Sequence, residues 1–311
     1  MSMQFRGLAE LAMADGAITA DEILGMRREG WSSGCIDADE ADAIFVLNDQ
    51  LAERTPEWSD FFVEALSEYI VHSVEPKGYV SPDQAEWLIE RIDSNGRLDS
   101  LTELELLVKV LEKAIHTPES LRCYARDQIE KAVLSGEGPT RDGGMLEKGN
   151  VTEGEARLLR RIIFASGSDR PAAVSQNEAE LLFRLKDATL GADNAPEWKR
   201  LFVQGVGNYL QGFGGHEPLN RERAAELETF MNNSASSIGG FFSRMAHSNP
   251  VAGFSSAFGD KGDEPDLDAE VSAAREVTSI ESAWLKGQID ANGQIDDYDQ
   301  ALLDFLAEEE I

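Results

Sequence analysis

Cysteine, histidine and basic residues are all scarce in this chain. Its 311 residues include 2 Cys, 4 His and 28 Lys plus Arg, set against 58 Asp plus Glu. Cys35 and Cys123 stand far apart and form no CxxC or Cys/His pattern, which argues against structural zinc. His72, His116, His216 and His247 are scattered without HExxH or any other metal-ligand spacing. No GxSxG, P-loop or strand-to-helix GxGxxG occurs, so no recognisable catalytic constellation is present. The formal charge of −30 is spread along the chain. Lys and Arg are too dispersed to release counterions from a phosphate backbone or to dock on anionic lipid, so neither nucleic acid nor a membrane is an expected partner. No apolar run approaches transmembrane length. The opening stretch MSMQFRGLAELAMADG reads as an amphipathic helix, not a signal peptide, and the expected location is cytoplasmic.

What the chain does have is internal repetition. Residues 36–71 and 174–211 align with a two-residue difference in one loop. Phe45 matches Phe183, Leu47 matches Leu185, Asp49 matches Asp187 and Tyr69 matches Tyr209, and the triplet Pro56-Glu57-Trp58 recurs as Pro196-Glu197-Trp198. Trp58, Phe61, Phe62, Ala65, Leu66, Tyr69 and Ile70 form one helical stripe, and so do Trp198, Leu201, Phe202, Gly205, Val206, Tyr209 and Leu210. Both stripes are expected in the core. Gly205 and Gly207 predict a weakened second helix with a close backbone approach. A second echo pairs WLIERIDSNGRLD at 87–99 with WLKGQIDANGQID at 284–296. The expected fold is all-α, with two duplicated lobes at 1–135 and 151–311, a linker at 136–150 and β structure limited to short bridges at loop residues such as Ile18 or Leu98.

Eight segments carry a helix-start pattern, an apolar residue followed by Thr, Asp, Ser or Asn and usually by an acid or Gln three residues on. They are Ile18-Thr19 with Glu22, Ile36-Asp37 with Glu40, Val80-Ser81 with Gln84 and Leu98-Asp99 with Thr102. The second lobe has Val151-Thr152 with Glu155, Val174-Ser175 with Glu178, Leu219-Asn220 with Arg223 and Ile295-Asp296 with Asp299. A side-chain oxygen at the N-cap accepts from an orphan N–H, and the residue three further on answers the cap's own N–H. In most of these segments a glycine stands two residues ahead of the apolar one, and Gly16 to Glu22, Gly34 to Glu40 and Gly149 to Glu155 keep the back half of an EF-hand signature.

The pattern resembles degenerate EF-hands, and Ala14–Glu22 (ADGAITADE) resembles the helix-start motifs of tellurite-resistance TerB-like proteins. That resemblance implies a helical fold and metal binding. A calcium loop needs oxygens at positions 1, 3, 5, 7, 9 and 12. The loop at Gly293 offers Asp290, Asn292, Asp296 and Asp299 but has Gln288 at position 1. The loop at Gly96 offers Asp93, Asn95 and Asp99, with Arg91 at position 1 and Thr102 at position 12. These seven residues are the metal candidates and calcium is the cofactor they would take, although both sets are incomplete.

An insertion at about 232–275, rich in Ser and Gly, carries Phe241, Phe242, Met245, Phe254 and Phe258. These side chains are expected to dock either on the chain's own lobes or on a protein partner. The leading expectation is a non-enzymatic interaction or regulatory protein with a protein partner. The alternative is a calcium sensor or buffer, and third comes an enzyme of unrecognised type.

Overall fold

The computed structural model of the chain describes residues 3–32, 34–93, 98, 100–141, 149–169, 173–211 and 279–309. These residues form an all-α protein of twelve helices. The first six are α1 (Met3–Asp15), α2 (Ala20–Gly30), α3 (Ala38–Gln50), α4 (Pro56–His72), α5 (Pro82–Ile92) and α6 (Leu101–Lys113). The rest are α7 (Glu119–Ser135), α8 (Glu153–Ile163), α9 (Gln176–Ala188), α10 (Pro196–Leu210), α11 (Ser279–Asp290) and α12 (Asp297–Glu309). Among the described residues none of them is long and apolar enough to cross a membrane.

The helix starts follow from local chemistry. Thr19, Asp37, Ser81, Thr152 and Ser175 each close a reciprocal capping box with Glu22, Glu40, Gln84, Glu155 and Glu178. Asp296 caps α12, accepting from the N–H groups of Tyr298 and Asp299 at 2.8 and 3.0 Å, while its own N–H bonds Asp299 at 3.2 Å. The expected start at Asp99 is corrected by one residue. Ser100 is the cap of α6 and pairs with Glu103, because Thr102 has no carboxylate to return the bond. The start at Asn220 lies outside the described residues. The preceding glycines turn the chain with positive φ, 63° at Gly16 and 75° at Gly293, a conformation that costs a residue with a Cβ. Among pairs of described residues, isolated β-bridges join Tyr79 to His116 and Asp93 to Leu98. Leu98 therefore bridges as expected, and Ile18 has no bridge there.

Both aromatic stripes are core. Trp58, Phe61 and Phe62 on α4 are fully buried, as are Trp198 and Phe202 on α10. The rings around them are arranged alike in the two halves. Phe45 meets Phe62 edge-on at 5.3 Å and Trp87 at 5.4 Å, and Phe183 meets Phe202 at 5.1 Å and Trp284 at 5.7 Å. Tyr69 and Tyr209 then close on Trp87 and Trp284, at 5.5 and 4.8 Å. Edge-to-face contacts of this kind stabilise beyond the area they bury. At Gly205 and Gly207 side chains, not backbone, come close: an added Cβ would lie 2.6 Å from Leu182 and 2.5 Å from the Phe305 ring.

Helix neighbours follow the same order twice. α1 packs on α2 and α3, α2 and α3 pack on α4, and α4 packs on α6. Likewise α7 packs on α8 and α9, α8 and α9 on α10, and α10 on α12. Between the two sets, α5 and α6 meet α7, and α6 meets α8, so one continuous hydrophobic core runs through both. α6 is accordingly buried on several sides, at Leu104, Leu106, Leu107, Val108, Val110 and Leu111. On α8 the buried positions include Leu158 and Ile162.

Charge reinforces this junction. Arg161 on α8 holds Glu105 and Glu112 of α6 at 2.7 Å each. Those bonds, Glu112 first, keep its guanidinium charged well above its ordinary range. The described ends of the 136–150 segment are packed, with Arg141 gripping Glu155 through Nε and Nη2 at 2.7 Å, both side chains almost wholly buried.

Candidate functional site

The loop between α11 and α12 approaches the C-terminal end of α9. The buried face of α9 carries two charged side chains, Glu178 in its first turn and Lys186 in its last, both fully buried. For Lys186, the charge sits against the core rings: its stem runs beside them, leaving Nζ 5.3 Å from the Phe183 centroid and 5.9 Å from that of Phe202. Nζ then meets Asp296 Oδ2 at 2.8 Å, Asp299 Oδ1 at 2.9 Å and Asp187 Oδ1 at 3.0 Å. Two of the ammonium's N–H groups donate to Asp296 and Asp299, and the Asp187 carboxylate adds a third negative charge at ion-pair distance. Asn292 braces the group, donating from Nδ2 to Asp187 at 2.8 Å and to Asp296 at 3.2 Å.

Burial works against the charge on Lys186, yet the bonds to Asp296, Asp299 and Asp187 outweigh it and hold the ammonium above its ordinary value. Burial also pushes the carboxyl of Asp299 up. For Asp296 burial is opposed more strongly, by Lys186 and by the N–H groups of Asp299 and Tyr298, and its carboxyl is held down. The cluster is a buried ion network with an internal cation at its centre.

Sequence reasoning picked out part of this arrangement. Asp296 and Asp299 are brought together. Asn292 joins them through its amide nitrogen as a donor, not through the oxygen a cation would use. Asp290 is exposed, and its carbonyl accepts the N–H of Gly293 at 3.1 Å. In the earlier loop Asp93 ends α5, its N–H donating to Ile89, while Asn95 and Asp99 lie outside the described residues. So do Phe241, Phe242, Met245, Phe254 and Phe258 of the insertion. Lys186 and Asp187 were missed, although a lysine on a largely apolar stripe is a visible signal. Among the described residues no set of His, Cys, Asp and Glu side chains stands ready for a metal ion.

The aligned position in the first half is Asn48, also fully buried. Its Oδ1 accepts from Trp58 Nε1 and from Arg54 Nε, both at 3.1 Å. Lys186 offers no acceptor, and Trp198 Nε1, buried like its counterpart, has no hydrogen-bond partner among the described residues.

Two further features flank the core. At the junction, Asp169 takes Arg126 at 2.8 Å and Arg122 at 2.5 Å, and Glu178 lies 3.6 Å from Arg126. Glu178 Oε1 is buried without a hydrogen bond. Burial raises its carboxyl to about 7, with the Ser175 N–H opposing and the Asp169 charge adding to the rise. Between α4 and α6 an open groove of about 620 Å³ is lined by Asp60, Val63, Glu64, Leu101, Lys109 and Arg161 among others.

No protein-family model, curated protein or solved structure matches this chain.

Proposed function

We propose that this chain is a non-enzymatic cytoplasmic interaction or regulatory protein, built from two copies of a six-helix unit whose EF-hand-like loops serve as helix-start turns. The shared order of helix neighbours and the matched aromatic sets support the duplication, and that register groups α7 with the second unit, ahead of the segment at 136–150. The observation that carries the reading of the loops is Lys186. The centre of the loop with the fullest acidic set is filled by the protein's own ammonium, which donates to Asp296 and Asp299 and lies 3.0 Å from Asp187. A loop closed in this way stabilises a helix junction and does not respond to calcium. The acidic surface favours a protein partner with basic patches over nucleic acid or lipid.

Calorimetric titration of the full chain with calcium tests the first part. No heat of binding is expected up to millimolar calcium, and a saturable heat would replace this reading with the calcium sensor or buffer. Affinity capture tests the second. A partner retained by the full chain, released by raised ionic strength and lost when Phe241 and Phe242 are both replaced by Ser supports an interaction role.

A further inference from the structure

We propose that Glu178 is a proton-operated latch on the seam between the two sets of helices. With its proton on, it leaves Arg126 and Ser175 to Asp169, which holds the α8–α9 connection against α6. With its proton off, it takes both donors and lets that connection go. The latch works whatever the chain binds.

Two donors are each shared by the same two carboxylates. Arg126 Nη1 lies 2.8 Å from Asp169 Oδ2 and 3.6 Å from Glu178 Oε1. The Ser175 hydroxyl stands 2.9 Å from Asp169 Oδ2 and also 2.9 Å from Glu178 Oε2, and it has one proton to give. Glu178 is wholly buried, and among the described residues its Oε1 has no hydrogen bond. A neutral carboxyl tolerates that position at modest cost. A carboxylate there needs a cation, and Arg126 is the one beside it.

The other groups around Glu178 are already engaged. On α7, Cys123 Sγ accepts from Arg126 Nη2 at 3.3 Å, and Arg122 holds Asp169. On α9 itself, Glu180 bonds Gln176 and Arg184 bonds Glu130 of α7. α10, which also packs on α9, meets its start through Asn208, whose Oδ1 accepts the Val174 N–H at 2.8 Å. The charged residues of α10, Glu197, Lys199 and Arg200, lie near its opposite end.

Asp169 is placed to transmit the change. Two residues before it, the Gly167 N–H bonds the Leu111 carbonyl of α6 at 2.9 Å, a backbone bond that joins the two sets of helices directly. The Gly167 carbonyl accepts from Thr117 Oγ1 at 2.6 Å, and Arg122 donates to the Thr117 carbonyl. Once Arg126 and Ser175 turn to Glu178, Asp169 is left with Arg122, and the strap across the seam loosens. Burial raises the Glu178 carboxyl to about 7, so the exchange falls at neutral pH.

Hydrogen exchange of single amides in the full chain tests the latch, with rates corrected for their intrinsic pH dependence. The Gly167 N–H should be about tenfold better protected at pH 6 than at pH 8, matching the protonated share of a carboxyl that titrates at about 7. At pH 8 it should exchange nearly as an open amide, while the Phe62 N–H in α4 stays protected. Glu178→Gln, which cannot ionise, should hold Gly167 at the pH 6 level or above at both values. Asp169→Asn should leave it open at both. A Gly167 protection that ignores pH overturns the proposal, and so does one that still changes in Glu178→Gln. Protection equal to that of Phe62 throughout also overturns it, because Gly167 would then open only when the whole chain unfolds. Failure of Glu178→Gln to fold counts against it too, since that variant carries the closed state. If Asp169→Asn does not fold, the unaltered chain and Glu178→Gln decide.

Discussion

Trp58 donates its indole N–H to Asn48 Oδ1 at 3.1 Å, inside a core where both residues are wholly buried. The aligned Trp198 is equally buried and makes no such bond. Replacing either Trp by Phe removes similar apolar volume, but only at Trp58 does it also remove a satisfied hydrogen bond. Trp58→Phe should therefore cost about 1 kcal/mol more than Trp198→Phe. Urea unfolding midpoints of the two variants measure the difference, and equal losses would show that the Asn48 bond contributes nothing net.

Glu178 should make stability fall as pH rises through a defined window. Its carboxyl is raised from the ordinary 4.5 to about 7 in the folded chain, chiefly by burial. The folded state thus holds a proton that the unfolded chain has released. The stability this provides is fully present below about 4.5 and is lost as pH climbs towards 7. The loss amounts to about 3 kcal/mol at most. Glu178→Gln keeps an acceptor for the Ser175 N–H and cannot ionise, so its advantage over the unaltered chain should grow between pH 5 and pH 8. Parallel stability curves over that range would remove Glu178 as the cause. Asp169, whose carboxyl is held down despite burial by Arg126 and its other partners, acts at lower pH and in the opposite sense.

Two arginines should differ sharply although both bind carboxylates. Arg141 and Glu155 are almost wholly buried, and Glu155 also caps α8. Arg141→Met would strand that carboxylate in the core and should cost about 3–5 kcal/mol. Arg161 bridges α8 to α6, but its side chain is a third exposed. Arg161→Met should cost only about 1 kcal/mol. Chemical denaturation of both variants, run in low and high salt, checks the order and should show screening mainly at Arg161.

Gly207→Ala should destabilise the chain even though alanine is the better helix former by about 1 kcal/mol. The added methyl would sit 2.5 Å from the Phe305 ring, forcing α10 and α12 apart. Gly154→Ala is the control, a helical position with no atom within 4 Å of the new methyl, and it should stabilise. Phe305→Leu combined with Gly207→Ala should recover part of the loss, as read from thermal midpoints.

Much of this fold was legible because its signals are local. A cap, a carboxylate three residues on and an apolar stripe are all set within one helix, and the starts at Thr19, Asp37, Ser81, Thr152, Ser175 and Asp296 were placed correctly. The start at Asp99 slipped by one because two cap-forming residues stand side by side, and the pairing with Glu103 decides between them. The candidate site was harder to read. Counting positions along a loop assumes that every ligand comes from that loop, and it drew in Asp290, which faces solvent. The residue that organises the cluster comes instead from α9, 110 positions before Asp296. Contacts across that distance depend on how α9, α10 and α12 pack, which no single stretch of sequence records.

The junction at α6 also bears on self-assembly. On the proposed reading of two repeated units, one that presents α5 and α6 to the α7 and α8 of its successor would be able to go on adding units into a filament unless its outer faces were polar. Aligning the starts of α6 and α12 sets the buried Leu104, Val108 and Leu111 against the exposed Gln300, Asp304 and Ala307. At the other end, aligning α8 with α2 sets the buried Leu158 and Ile162 against Gly25 and Glu29, neither of them buried. Among the described residues, the buried apolar side chains by which α6 and α8 join the two sets of helices therefore have no buried counterpart at these positions of α12 and α2. The same pair of helix faces joins the sets once and is not repeated at either of those helices.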